Sequence, residues 1–304
     1  MATSPYIGRF APSPTGPLHK GSLLAALASY LDARTNQGQW LVRIEDIDPP
    51  REVSGAADKI LTQLEAHGLH WDGPVLYQSS RLSDYRDALQ QLKRANLLFD
   101  CYCSRAKLTS TGKHCKGSCK ELKIQTSAHV APKAPNHSIR IHTPLQSQHA
   151  QKDLIQSNFV FNPGLEGDFI LWRRDQLPAY QLATSLDDSY QNISRVIRGN
   201  DLIDSTARQI YALRCLNLKV PEYGHIPVLT NQQGQKLSKQ NHAPELNSAH
   251  ASENLRICLN FLGLPSPAEF AQTPPASILT WATAHWKLGL VPKQAAVAES
   301  DKPV

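Results

Sequence analysis

The sequence predicts an α/β fold with parallel strands, and three observations carry that prediction. Strand-like and helix-like signals alternate through the first hundred residues, a proline-stiffened turn joins the first strand to the first helix, and the alternation resumes after a polar interruption. With 304 residues the chain exceeds the common single-domain size, so one large domain carrying insertions or a small second domain is expected. Composition is ordinary for a soluble globule, with 41% hydrophobic and 19% charged residues and a mean hydropathy of −0.37. No apolar run approaches the roughly 18 residues of a membrane span, and MATSPYIG lacks the regions of a secretion signal. A cytoplasmic location is therefore expected.

YIGRFA reads as a strand, GSLLAALASYLDAR as a helix, QWLVRIED as a second strand, and VSGAADKILTQLEAHG as a helix ending at Gly68. RLSDYRDALQQLKRANL is a further amphipathic helix, followed by the short apolar run LLFDCYC. From Ser104 to Asn136 the chain is polar, lysine-rich and without periodicity, which predicts an insertion. Regular structure resumes with the strands SIRIHT and GDFILWRR, a helix from Ala179, the strand SRVIRG and the helix IDSTARQIYALRCLN. YGHIPVLTN reads as one strand, and the loop NQQGQKLSKQNHAP follows it. Helical fragments near 249–262 and 276–287 and an unstructured tail complete the expectation. The predicted division is 1–100, 101–136, 137–245 and 246–304: two halves of one α/β unit, an insertion between them, and a short helical C-terminal cap.

The stretch RFAPSPTGPLHKGSL, Arg9 to Leu23, is not ordinary core, because each proline removes a backbone donor and each glycine loosens the chain. A strand entering such a turn and feeding a helix near Gly21 gathers free N–H groups and a positive dipole end at one point, which suits phosphate. The absence of G-x-G-x-x-G leaves no indication of a dinucleotide site. Taken alone, the stretch reads equally as a phosphate site and as a stiff loop. Lys236 and Lys239 of KLSKQ could neutralise charge on an attacked α-phosphate, or simply be solvated.

The net charge of +6 and the pI near 9.0 suit a polyanionic partner such as nucleic acid. Cys101, Cys103, Cys115 and Cys119 crowd into nineteen of the chain's residues, while Cys215 and Cys258 lie elsewhere. Four clustered thiols in a chain without a secretion signal suit a closed structural zinc site, with free buried thiols and a redox pair as the other readings. His114 competes as a ligand, but four thiolates already fill a tetrahedral shell.

His19-Lys20-Gly21-Ser22 and Lys236-Leu237-Ser238-Lys239-Gln240 resemble the paired HIGH and KMSKS motifs of class I aminoacyl-tRNA synthetases. RFAPSPTGPLH, RIEDIDPPR, PAYQLA and VIRGNDLIDSTARQ narrow the resemblance to the glutamyl branch, over about residues 5 to 245. Lys20, Ser22 and Gln240 depart from the motifs' namesake residues. The resemblance implies a doubly wound, Rossmann-like parallel sheet with a zinc-containing insertion and an enzyme that makes glutamyl-adenylate from ATP, used with Mg²⁺, and L-glutamate. It further implies Arg9 and Arg198 as partners of a substrate carboxylate, Glu45 as the ammonium partner, Tyr180 as a hydrogen-bonding wall, and Ala11 and Ser13 lining the same turn. His19, Gly21 and Ser22 would face ATP, Lys239 the developing phosphate charge, and Lys236 would support it, making His19, Lys236 and Lys239 the catalytic set.

In similar enzymes a zinc-holding insertion approaches tRNA, with tyrosine at the position of Cys115. Only 64 residues follow Gln240, fewer than a large anticodon-binding region needs. The chain therefore resembles the truncated glutamyl-type paralogues whose acceptor is queuosine in the anticodon of tRNA(Asp). A monomer is expected, with Lys93, Arg94, Lys107, Lys113, Lys116, Lys120 and Lys123 as candidate backbone contacts. The alternatives are a minimal glutamyl-tRNA synthetase charging a 3′ end and a catalytically silent RNA-binding relative.

Overall fold

The computed structural model describes residues 5–103, 119, 137–143, 149–156, 159–161, 167–231, 233–237 and 243–299. Strand β1 (Ile7–Phe10) pairs in parallel with β2 (Gln39–Ile44), and β2 in parallel with β3 (Leu76–Tyr77). Between them run α1 (Lys20–Thr35) and α2 (Ala56–Ala66), and α3 (Leu82–Arg94) follows β3. Leu23, Leu24, Ala26, Leu27, Ala28 and Leu31 are all buried on α1. A helix apolar on nearly every face belongs in the interior, and α1 packs on β1 with two C-terminal helices along it.

The antiparallel sheet β4 (Leu98–Cys101), β5 (Ser138–Ile141) and β8 (Phe169–Trp172) brackets the insertion, with β6 (His149–Gln151) and β7 (Phe159–Phe161) paired inside it. The predicted insertion segment 104–136 lies outside the described residues except for Cys119. Helix α4 (Tyr180–Tyr190) leads to β9 (Arg195–Gly199), α5 (Ile203–Cys215) and β10 (Glu222–Ile226), which pairs in parallel with β9. Ser194, one residue before β9, donates its N–H to the Ile7 carbonyl and accepts the Ile7 N–H on its hydroxyl. These bonds set β9 beside β1 and give the order β3-β2-β1-β9-β10. Chain direction through the sheet therefore reverses its progress between β1 and β9, the switch point where ligands of open α/β sheets bind.

Two expectations need correcting. The predicted single strand YGHIPVLTN is divided at Pro227 into β10 and β11 (Val228–Thr230), because proline supplies no N–H to continue a ladder. The tail, expected to be unstructured, contains β12 (Ala296–Ala298), parallel to β11 and anchored where the Val228 N–H meets the Ala295 carbonyl. Before it lie α6 (Ala251–Phe261) and α7 (Pro275–His285), as the helical fragments predict. Among the described residues no helix is long and apolar enough to cross a membrane.

Candidate active site

The prolines of the first turn lack donors, and their carbonyls anchor it instead: Pro12 accepts from Glu45 N–H and Pro14 from Val53 N–H, each at 2.9 Å. Gly16 takes φ of 129°, a backbone state side chains resist. Leu18 then donates to Gln63 Oε1 at 2.7 Å, and His19 caps α1, its Nδ1 accepting from Ser22 N at 3.2 Å. With Nδ1 accepting, the ring proton sits on Nε2, 3.1 Å from Ser22 Oγ. His19 is thus part of the helix start as well as a face of the cavity. No acidic residue occupies the first turn of α1, which leaves its positive end unneutralised.

That turn forms one wall of a cavity of about 620 Å³ at the carboxyl ends of β1 and β9. The cavity brings together Arg9, Ala11, Ser13, His19, Gly21, Ser22, Tyr180, Arg198 and Lys236 of the predicted set. Glu45 is not in its wall. Instead it is buried beside Arg43 at 3.7 Å and accepts from Thr184 Oγ1 at 3.0 Å. Burial raises its carboxyl above the ordinary value, while Arg43 and Arg9 pull the other way. Ser238, Lys239 and Gln240 lie outside the described residues. Lys236 is exposed and ion-paired with Asp201, another cavity residue. Leu237 ties the loop back by donating to the Leu229 carbonyl at 2.7 Å.

The two predicted carboxylate partners have different surroundings. Arg9 donates to both oxygens of buried Asp188, at 3.0 and 3.3 Å. Arg43 donates to the same carboxylate at 2.7 Å, and Arg81 to Asp187 at 2.7 Å. Burial alone would raise the Asp188 pKa, but Arg9 and Arg43 hold it below the usual range. Arg9 and Arg43 thus converge on Asp188, and Arg81 on Asp187.

Arg198, also buried, makes no carboxylate pair among the described residues. It donates to Thr206 Oγ1 at 2.8 Å, to Tyr180 Oη and His225 Nε2 at 3.3 Å, and to the Leu202 carbonyl at 3.4 Å. A buried cation held only by neutral acceptors, facing a cavity, is a receptor for an anion. Burial raises the Tyr180 pKa, so that its hydroxyl stays protonated.

Asp188, Asp201, Thr206 and His225 were missed by sequence reasoning. The pair in SLDDSY was a usable signal, since two acids on a helix next to arginine-bearing strands require buried counter-charges. The histidine within a strand carried no comparable mark.

Away from the cavity, the sulfurs of Cys101, Cys103 and Cys119 lie within 4.8 Å of one another. Cys101 ends β4, and Cys101 and Cys119 are buried. Cys115 and His114 lie outside the described residues, as do Lys107, Lys113, Lys116, Lys120 and Lys123. Lys93 and Arg94 are exposed in the last turn of α3, where they also complement its dipole.

The profile of the family tRNA synthetases class I (E and Q), catalytic domain, matches residues 7–261. A glutamyl-Q tRNA(Asp) synthetase of Pectobacterium atrosepticum is 46% identical over 301 residues, covering 98% of this chain and 90% of the relative. One from Neisseria meningitidis serogroup C is 46% identical over 297 residues, covering 95% and 98%. Among solved structures, a glutamate tRNA ligase from Elizabethkingia meningosepticum, in complex with its amino acid, superposes with a TM-score of 0.77 at 24% identity. The superposition covers 98% of this chain and 67% of that one, and its likeness is one of fold.

Proposed function

The chain belongs to the family of class I tRNA synthetases (E and Q), catalytic domain, and from that premise we propose that it activates L-glutamate with ATP and transfers the glutamyl group to queuosine in the anticodon of tRNA(Asp). The observation that carries the activation step is Arg198, a buried cation with neutral partners opening on the cavity between β1 and β9. The names of the relatives that match nearly the whole chain support the acceptor.

In this reading the side-chain carboxylate of glutamate completes Arg198, with Arg9 and the Tyr180 hydroxyl beside it. Glu45 attracts the ammonium through the wall, and Ala11 and Ser13 shape the turn. A carboxylate bound there is held by charge-assisted hydrogen bonds from a buried guanidinium. ATP enters as its Mg²⁺ complex, its phosphates directed by His19, Gly21, Ser22 and the open N-terminus of α1. An α-carboxylate oxygen of glutamate attacks the α-phosphorus, a P–O bond forms, and the bond to pyrophosphate breaks. Lys236 and Lys239 counter the charge that develops on the phosphates. A hydroxyl of queuosine's cyclopentenediol then attacks the acyl carbon, the ester bond forms, AMP leaves, and the hydroxyl proton passes to solvent.

Four thiols, of Cys101, Cys103, Cys115 and Cys119, would hold one zinc ion. Soft sulfur donors that converge on one point, as three of them do, match that ion's preference. The zinc would crosslink the insertion to the end of β4. The reading includes a cytoplasmic monomer in which the insertion and its lysines grip tRNA between the two catalytic halves, and 246–304 caps them.

Glutamate transfer to tRNA(Asp), with and without queuosine and with the 3′-terminal diol alone blocked beforehand, tests the acceptor. Labelling should require queuosine and survive the block. Labelling of queuosine-free tRNA that disappears with the block would replace this reading by a minimal glutamyl-tRNA synthetase.

A further inference from the structure

His225 lies at zero exposure on β10, behind Arg198 and out of reach of any ligand in the cavity. Its Nδ1 is 2.5 Å from Asp153 Oδ2. Asp153 Oδ1 accepts backbone N–H groups from Ile155 at 2.9 Å, Gln156 at 2.8 Å and His225 itself at 3.2 Å. A carboxylate so occupied only accepts, so the imidazole proton is fixed on Nδ1. Nε2 is left with a lone pair, facing Thr206 Oγ1 at 2.9 Å and Arg198 Nε at 3.3 Å. Thr206 takes a hydrogen bond from Arg198 at 2.8 Å, and of the two acceptors its own proton can reach, His225 Nε2 at 2.9 Å is nearer than the Leu202 carbonyl at 3.4 Å. The donors of this relay run in one direction, Arg198 to Thr206, Thr206 to His225 and His225 to Asp153, while Arg198 Nη1 stays on the cavity side with Tyr180.

We infer that Asp153, His225 and Thr206 are positioning residues for amino-acid binding: the Asp153 carboxylate fixes the tautomer of His225, and the acceptors so presented orient the Arg198 guanidinium toward the substrate carboxylate. This rests on the reading of Arg198 given above. It also assigns the segment after the insertion a task at the site. Asp153 bridges in parallel to Tyr223, and Leu154 N–H donates to the Tyr223 carbonyl at 2.9 Å, which secures the segment to the far edge of β10.

The arrangement works only while His225 is neutral. A proton on Nε2 would place a donor against donors and a second positive charge against Arg198. Burial, and then Arg198, lower the His225 pKa, whereas the Asp153 hydrogen bond and charge and, more weakly, Asp201 raise it. The Tyr223 ring stacks beside the imidazole at 6.4 Å, and Gln156 Nε2 donates to the His225 carbonyl. The balance lies below the ordinary value of 6.5, so glutamate use should fall on the acid side of that value.

The test is glutamate-dependent pyrophosphate exchange by the full chain, read as separate KM values for glutamate and ATP from neutral to mildly acidic pH. Loss of a buried hydrogen bond to a charged group corresponds to roughly ten- to a hundredfold. His225→Leu should raise the glutamate KM by that factor and leave the ATP KM within about twofold. Asp153→Asn, which can donate to Nδ1 and reverse the tautomer, should act in the same direction. His225→Gln offers an acceptor that cannot be protonated, so it should recover most of the loss and remove the acid limb of kcat/KM for glutamate. A folded His225→Leu with an unchanged glutamate KM, or an acid limb that persists in His225→Gln, overturns the inference. Should His225→Leu not fold, Asp153→Asn and the pH profile of His225→Gln decide it. Arg198→Lys separates the two claims: an unchanged glutamate KM there removes the reading of Arg198, while a raised one beside unaffected His225 and Asp153 variants removes only the positioning role.

Discussion

Asp188 and Glu45 show how two carboxylates a short distance apart acquire opposite work. Asp188 is held below its ordinary value of 3.8 by Arg9 and Arg43 against the pull of burial. Its stabilising contribution is present above the unfolded carboxylate range and is lost as pH falls through its lower folded value. Glu45 is raised above 4.5 by burial. Its ionised form therefore costs stability above its folded value, and the cost is relieved as pH falls through it. Asp188→Asn should lose about 3–5 kcal/mol, since it strands buried guanidinium charge, as urea unfolding at neutral pH would measure. Glu45→Gln should keep or gain stability at neutral pH, with its margin over the parent narrowing in acid, while its glutamate KM rises. A parallel loss of stability in both variants would contradict this division. Arg9, Arg198 and Tyr180 were legible in the sequence because their motifs mark them. Asp188 was passed over because its signal, the adjacent acids of SLDDSY, has meaning only beside the arginines of other strands.

At the scale of elements, α1 is built around the first turn it must present. A Cβ on Gly21 would lie 3.1 Å from both Cε1 and Nδ1 of His19 and 3.4 Å from the Leu237 carbonyl oxygen. Glycine there lets the cap histidine and the following loop approach the same point. Gly21→Ala should change unfolding stability little, because alanine's helix preference of about 0.5–1 kcal/mol offsets the crowding. The ATP KM in pyrophosphate exchange should nevertheless rise several-fold, and an unchanged ATP KM would remove Gly21 from that role. The alternating elements were legible because a period near two and a period near 3.6 differ plainly over ten residues. β12 was not, because three residues, AVA, are too short to carry a period. Only long-range pairing with β11 makes them a strand, and Val297, buried in the core around α1, fastens it.

Over the whole molecule, a sheet of parallel strands and a separate antiparallel sheet share one chain, and Cys101, Cys103 and Cys119 sit together where the second sheet opens into the insertion. Zinc analysis of carefully purified protein should give about one ion per chain, the number four thiolates hold. Cys103→Ser should lower that occupancy without abolishing pyrophosphate exchange, whereas well under one zinc in the parent protein would contradict the site. The convergence of Cys101, Cys103 and Cys119 was legible from their crowding, but the route by which the chain after the insertion returns to the cavity was not. Asp153 is separated by 45 positions from Arg198, and only the folded register of β10 brings the segment behind that arginine. The unmatched charge of Arg198 also has a consequence for the protein's lifetime. An anion that completes it binds the folded chain and not the unfolded one, so substrate adds to folding stability by mass action. A cell rich in that amino acid would keep more of the enzyme intact, and starvation would expose the enzyme to proteolysis before it slowed the chemistry.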